Sequence, residues 1–178
     1  MNIINKIISN FINNKSLYIG EKVTISEHMI QSAMIAEKAK SPNSLICSCL
    51  LHDYGHFILE DPDKLVKKKI DGKHEDIGYE YLKRFFNKNV VEPIKYHVLA
   101  KRYLAREKKY FNLLSDASKI SLKLQGGVLN KNESKKFEKK DFFNQSIKLR
   151  KFDEAAKRTG IKIKSIIEYK NLLSSQLI

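Results

Sequence analysis

A chain of 178 residues, 42% of them hydrophobic and 30% charged, is long enough to bury a core and is sized for one compact domain. No run of about 18 apolar residues exists to span a bilayer, and the start, Met1-Asn2-Ile3-Ile4-Asn5-Lys6, lacks the layout of a secretion signal, so cytoplasmic residence is the expectation. The net charge of +14 rests mostly on scattered lysines without an arginine-rich arm or aromatic-interleaved basic patch, which argues against a specific nucleic-acid reader while leaving a surface that draws in small anions.

Seven glycines and three prolines point to long helices with few tight turns. Ile3, Ile4, Ile7, Ile8, Phe11 and Ile12 recur at helical spacing and predict an amphipathic helix over residues 1–13. That helix is expected to pack on the domain or on a partner subunit, the latter in a homodimer. A polar loop over 13–24 carries Tyr18 and Glu21, and Ser26 is positioned to cap a helix whose apolar face holds Ile30, Ala33 and Met34. Pro42-Asn43 punctuates the chain before the helix that leads into His52-Asp53. Cys47 and Cys49, two apart on that helix, point in different directions, so they read as small core residues rather than a disulfide or a shared metal site.

Asp61-Pro62-Asp63 marks a loop. A helix from about His74 presents Ile77, Tyr81, Leu82 and Phe85, and helical segments follow around 93–104, 116–125, 141–156 and 163–173, with Gly126-Gly127 as a stop. No alternating strand pattern and no internal repeat occurs. The expectation is an all-α domain, a single helical bundle over 1–178.

The chemistry is concentrated in a few polar residues. His52-Asp53, at the end of the apolar run Leu50-Leu51, can turn an imidazole and a carboxylate onto one metal, the ligand types favoured by first-row metals with oxygen chemistry. His28 and Asp153 on other helices would complete a four-ligand site. His74 and His97, each on its own helix, would add a second metal, with the two oxygens of Asp53 as the natural bridge. All five histidines, His56 included, fall where such a site could use them. Lys101 lies one helical turn after His97 and can share its face.

The His…His-Asp…Asp pattern resembles that of the HD-domain superfamily. The closer similarity is to the phosphonate-degrading HD-domain oxygenases, relatives of myo-inositol oxygenase. It is carried by Tyr18-Ile19-Gly20-Glu21, Glu27-His28, Leu50-Leu51-His52-Asp53-Tyr54-Gly55-His56, His74-Glu75 with Gly78, His97 through Leu104, Leu124-Gln125-Gly126-Gly127 and Arg150-Lys151-Phe152-Asp153. The resemblance implies a helical HD domain with a mixed-valent Fe(II)/Fe(III) pair, bridged by Asp53 and completed by His28, His52, His74, His97 and Asp153. It implies O2-dependent cleavage of the carbon–phosphorus bond of a 1-hydroxyphosphonate to phosphate and a carboxylate. The substrate would be (R)-1-hydroxy-2-aminoethylphosphonate, giving glycine, or its trimethylammonium analogue, giving glycine betaine; hydroxymethylphosphonate is the tail-less case. Lys101 and His56 match positions that hold the phosphonate, and a lysine with a protonated histidine suits a dianion. Ser121 would assist them. Tyr18 and Glu21 match an induced-fit pair, the tyrosine yielding an iron position to substrate and the glutamate meeting the substrate's amino end. Tyr54 stands where the pattern has an aliphatic residue, a difference expected to bear on the shape of the pocket. A metal-dependent phosphohydrolase is the alternative; it needs His28, His52, Asp53 and Asp153 for a metal-activated water, but not His74, His97 or Lys101.

Overall fold

The computed structural model describes residues 2–18, 21–59 and 71–178. Among them the chain forms ten α-helices: α1 (Ile3–Asn13), α2 (Ile25–Lys38), α3 (Asn43–Leu51), α4 (His74–Leu82), α5 (Lys88–Leu104), α6 (Lys108–Leu113), α7 (Asp116–Leu124), α8 (Lys131–Glu138), α9 (Phe143–Ala155) and α10 (Lys170–Ser175). Two 3-10 turns, Tyr54–Phe57 and Ile166–Tyr169, and isolated bridges at Leu17–Thr24 and Phe86–Leu177 complete the described structure, which contains no longer strand. None of the described helices is long and apolar enough to cross a membrane. Asp61-Pro62-Asp63 lies outside the described residues.

Helices α2, α3, α5 and α9 pack against one another, and α4 lies along α5 and the 3-10 turn after α3. The main core runs through Met29, Ala33, Cys47, Cys49, Leu50, Leu51, Ile94 and Leu149, all fully buried. Both cysteines are therefore core residues with free thiols. On α1, Ile4, Ile7 and Phe11 face this core, and the helix rests on α10 and the turn before it. Pro93 sits within α5, which continues through it to Leu104 at the cost of one backbone hydrogen bond.

The cap of α2 is Thr24, not Ser26. Thr24 and Glu27 form a reciprocal capping box, the hydroxyl accepting from the Glu27 amide and the Glu27 carboxylate from the Thr24 amide. Ser26 lies inside the helix and donates to Phe11 O, which ties α2 to α1. The helix expected over 163–173 is divided into the second 3-10 turn and α10, because Ser165 caps the turn with Glu168. Tyr54 also departs from expectation. It is completely buried in the core, accepts a hydrogen bond from Asn10 of α1 at 2.7 Å and stacks on Tyr81. Its extra bulk is absorbed under α1 rather than in a substrate pocket.

One close backbone approach controls where α4 begins. A Cβ on Gly55 would lie 1.9 Å from the carbonyl oxygen of His74, and one on Gly78 would lie 3.1 Å from the Gly55 nitrogen. The missing side chains let the first turn of α4 rest directly on the turn that follows Asp53, which brings His74 beside that carboxylate. Gly55→Ala should therefore cost about 1–3 kcal/mol by overpacking, visible as a drop of several degrees in Tm, and should reduce metal content as His74 is pushed away. Gly78→Ala, whose contact is with atoms that need give only slightly, should be milder; an unchanged Tm in Gly55→Ala would show that the turn and α4 are not tightly apposed.

Candidate metal centre

Five elements deliver six buried side chains to one point. His28 comes from the second half-turn of α2, His52 and Asp53 from the end of α3, His74 from the first residue of α4, His97 from the middle of α5 and Asp153 from the last turn of α9. They fall into two sets, His28, His52 and Asp153, and Asp53, His74 and His97, each compact enough to hold a metal ion. Asp53 joins the sets. Its Oδ2 lies 3.6 Å from His28 Nε2 and 3.5 Å from His52 Nε2, while its Oδ1 lies 3.2 Å from His74 Nε2 and 3.5 Å from His97 Nε2. Asp153 Oδ1 is 3.2 Å from His28 Nε2 and 3.8 Å from His52 Nε2.

The far nitrogens of these rings determine what the near ones can do. His28 Nδ1 donates to Ala156 O at 2.9 Å, His52 Nδ1 to Cys49 O at 2.8 Å and His97 Nδ1 to Ile94 O at 2.7 Å. A carbonyl accepts only, so each of these rings, when neutral, carries its hydrogen on Nδ1 and a lone pair on Nε2. His74 Nδ1 instead faces Glu75 Oε2 at 3.5 Å. Yet the Nε2 atoms meet in pairs, His28 with His52 and His74 with His97, each at 3.1 Å. Facing lone pairs repel unless a positive charge lies between them. The protonation tendencies express the same demand. Burial opposes a charge on His28 and His97, but Asp153 in the first case and Asp53 in the second outweigh it and raise both rings. Their partners are lowered by burial, His52 to about 4 and His74 to about 3.

Each pair thus calls for one cation. A metal ion bound by two imidazoles at about 2.0–2.1 Å and a right angle places the nitrogens about 3 Å apart, the separation found here. Asp53 Oδ2 and Asp153 Oδ1 are buried without a hydrogen-bond partner among the described residues, a costly state for carboxylate oxygens that a metal removes. Both carboxyls stay ionised despite burial, Asp53 through His52, His74 and His97, Asp153 through Arg150 first and then the histidines. Donor types, tautomers and orphaned oxygens all fit a pair of metal ions.

Around this centre lie the other residues expected at the site. Tyr18 stacks its ring on His28 with centroids 4.4 Å apart, and burial, then Asp53, raises its phenol well above the usual range, so it stays neutral. His56 stacks on His74 at 4.2 Å. Burial lowers its pKa, so in the substrate-free protein the imidazole is neutral at neutral pH. Lys101 is 4% exposed, and its hydrogen bond among the described residues is to Ser121 Oγ at 3.0 Å. Burial, with Arg150 second, lowers the Lys101 ammonium to about 7. Glu21 does not face open solvent; its Oε1 lies 3.6 Å from Lys157 Nζ.

Arg150, Glu154 and Lys157 were not anticipated. Arg150 donates to Asp153 Oδ2 and to Glu154 Oε2, and its Nε donates to Tyr110 Oη at 2.9 Å. This leaves Asp153 Oδ1 as the oxygen that faces the histidines. Arg150, Asp153, Glu154 and Lys157 stand at i, i+3, i+4 and i+7, a spacing readable in the sequence but also that of any solvated charged face.

These features define a metal-binding helical domain of the HD type. The HD domain sequence profile matches residues 25–171. Relatives extend the match: the chain is 46% identical over 145 residues, 81% of this chain and 74% of the other, to a [1-hydroxy-2-(trimethylamino)ethyl]phosphonate dioxygenase (glycine-betaine-forming) of Leisingera caerulea. It is 39% identical over 165 residues, 90% of this chain and 81% of the other, to a hydroxymethylphosphonate dioxygenase of Gimesia maris. An uncharacterized protein of Acanthamoeba polyphaga mimivirus is 36% identical over 163 residues, 90% of this chain and 74% of the other. The chain belongs to the HD-domain family and, within it, to the phosphonate-degrading oxygenases.

If the second set holds its own ion, His74→Ala and His97→Ala should each lower the metal content from two ions per chain to one and leave the helical circular dichroism nearly unchanged. Elemental analysis checks this, and retention of both ions by either variant would remove that histidine from the ligand set.

Proposed function

We propose that the chain is a mixed-valent diiron oxygenase that uses O2 to cleave the carbon–phosphorus bond of a 1-hydroxyphosphonate. The reading is carried by one observation above all: two facing pairs of imidazole nitrogens, one pair on each oxygen of a single buried aspartate. A hydrolase with one metal needs only the first pair. The two relatives with named activities are dioxygenases acting on hydroxyphosphonates, which favours oxidation over hydrolysis.

In this reading His28, His52 and Asp153 would hold one iron and Asp53, His74 and His97 the other, with the two oxygens of Asp53 turned one toward each set. Bound iron supplies the oxygen activation and one-electron chemistry that side chains cannot. The reaction balances without an outside reductant: hydroxyphosphonate and O2 become a carboxylic acid and phosphate, the carbon losing its bonds to hydrogen and phosphorus. The protein's own task is to hold the substrate. Lys101, buried and with no carboxylate partner among the described residues, offers its ammonium to the phosphonate, and Ser121 fixes the direction in which that ammonium points. His56, neutral in the free protein, gains a proton most readily when a dianion lies beside it. Tyr18, packed on His28, covers the first iron site until substrate enters, and Glu21 receives a cationic tail. Binding at several points sets the C1–H bond and the phosphonate in one orientation before oxygen arrives.

Anaerobic incubation of the iron-loaded protein with a panel of 1-hydroxyphosphonates, followed by oxygen, tests the assignment. One phosphate per O2 consumed is expected. Phosphate release under strictly anaerobic conditions, or none from any member of the panel, would overturn it.

Lys101→Met should keep both metals and weaken phosphonate binding by about 1.5–3 kcal/mol, one to two decades. The pH dependence has a definite sign. Lys101 is charged below about 7 and loses its proton as pH rises through that value, so wild-type affinity should fall on the alkaline side. Lys101→Arg keeps its charge and should not show this fall, while Lys101→Met should bind weakly across the range. Because the phosphonate's own ionisation is common to all three proteins, the difference between wild type and Lys101→Arg isolates the lysine. Superimposable profiles would exclude Lys101 from the phosphonate site.

A further inference from the structure

The partly buried Lys157 belongs to none of the roles described so far. It lies just after α9, next to Ala156, whose carbonyl fixes His28. Its ammonium is only slightly exposed and is 2.7 Å from Ser118 Oγ, 3.4 Å from Ser115 Oγ, 3.4 Å from each oxygen of Glu154 and 3.6 Å from Glu21 Oε1. It also stands 5.6 Å from the centroid of the Tyr18 ring, which itself stacks on His28. Lys157 thus joins the loop that carries Tyr18 and Glu21 to α7 and α9, directly beside the metal centre.

The two members of the Lys157–Glu21 pair are not equally dependent on it. An ammonium has only three protons, and Lys157 has more nearby acceptors than that. It can release Glu21 and remain satisfied by Ser118 and Glu154. Glu21 Oε1 is buried and has no hydrogen-bond partner among the described residues, with Lys157 as its ion-pair neighbour. A carboxylate so placed gains from a new cation, while the lysine loses little by giving it up.

We propose that Lys157 is a specificity-determining residue: it neutralises Glu21 in the substrate-free protein, and a cationic substrate tail must take Glu21 from it. This rests on the reading that Glu21 meets the tail of a hydroxyphosphonate. A substrate without a cationic tail leaves the Lys157–Glu21 pair intact, so Lys157 narrows the advantage that a cationic tail would otherwise have. Specificity here is a difference between two affinities, and the internal cation acts on only one of them.

The measurement is the ratio of kcat/KM for 1-hydroxy-2-(trimethylamino)ethylphosphonate to that for hydroxymethylphosphonate, together with anaerobic Kd values for both on the iron-loaded protein. Lys157→Met keeps the aliphatic stem and removes the charge, and it should raise the ratio about tenfold, the scale of one competing charged contact. Lys157→Gln, which retains a donor for Ser118, is a second neutral variant and should shift the ratio the same way. Lys157→Arg should leave it near the wild-type value. In a Glu21→Gln background Lys157→Met should no longer move the ratio, because the shared carboxylate is gone. General damage to the site lowers both substrates and leaves their ratio alone. Wild-type turnover with an unchanged ratio in both neutral variants, or a change that persists with Glu21→Gln, overturns the role of Lys157 while the oxygenase reading stands. Absence of turnover of either substrate by wild type overturns both.

Discussion

Everything in the centre depends on where three backbone carbonyls point. Ala156, Cys49 and Ile94 each accept from the Nδ1 of a histidine and thereby commit its Nε2 lone pair to the interior. Two of those carbonyls, Cys49 O and Ile94 O, lie three residues before the histidine they hold, so the helix that presents the ring also sets its tautomer. The result is a cluster of inward lone pairs around a buried, ionised aspartate. Such a cluster is stable only around positive charge, and its geometry divides that charge between two places, one for each oxygen of Asp53.

The supporting structure follows from this demand. Ligands on well-packed helices are held more firmly than ligands on loops, and all six candidates lie within helices or at their ends. The residues expected to meet substrate divide differently. Lys101 and Ser121 stand on α5 and α7, whereas Tyr18 and Glu21 lie on the connection between α1 and α2, fastened by the Leu17–Thr24 bridge and by Lys157. Rigid elements carry the metal set, and a short loop carries the groups assigned to the variable end of the substrate.

Much of this was legible in the amino-acid sequence, for a physical reason. A histidine or aspartate at the end of an apolar run or on the apolar face of a helix is anomalous, and six such anomalies spread over five helices imply a common destination. Lys101 was readable because it shares a face with His97. The all-α class followed from the 3.6-residue pattern and the scarcity of glycine and proline. What remained hidden was of two kinds. The carbonyls that orient the rings have no residue signature at all. Arg150, Glu154 and Lys157 do have one, but a charged helix face looks the same in sequence whether it meets water or an interior. Tyr54 shows the same limit in reverse: position in a motif suggested the pocket, while the side chain turned the other way, toward Asn10. Ser26, the cap expected from the sequence, is displaced by Thr24, whose reciprocal contact with Glu27 starts the helix two residues earlier.

The contact of Gly55 with the backbone of His74 has a consequence for how such a site can diversify. The spacing between the two histidine pairs is set there by main chain against main chain, with no side chain interposed. Residues that face the substrate can then change in size or charge without passing strain to that spacing. Side chains around the centre can therefore vary across a lineage while the distance between the two histidine pairs stays constant, because the two are set by different atoms.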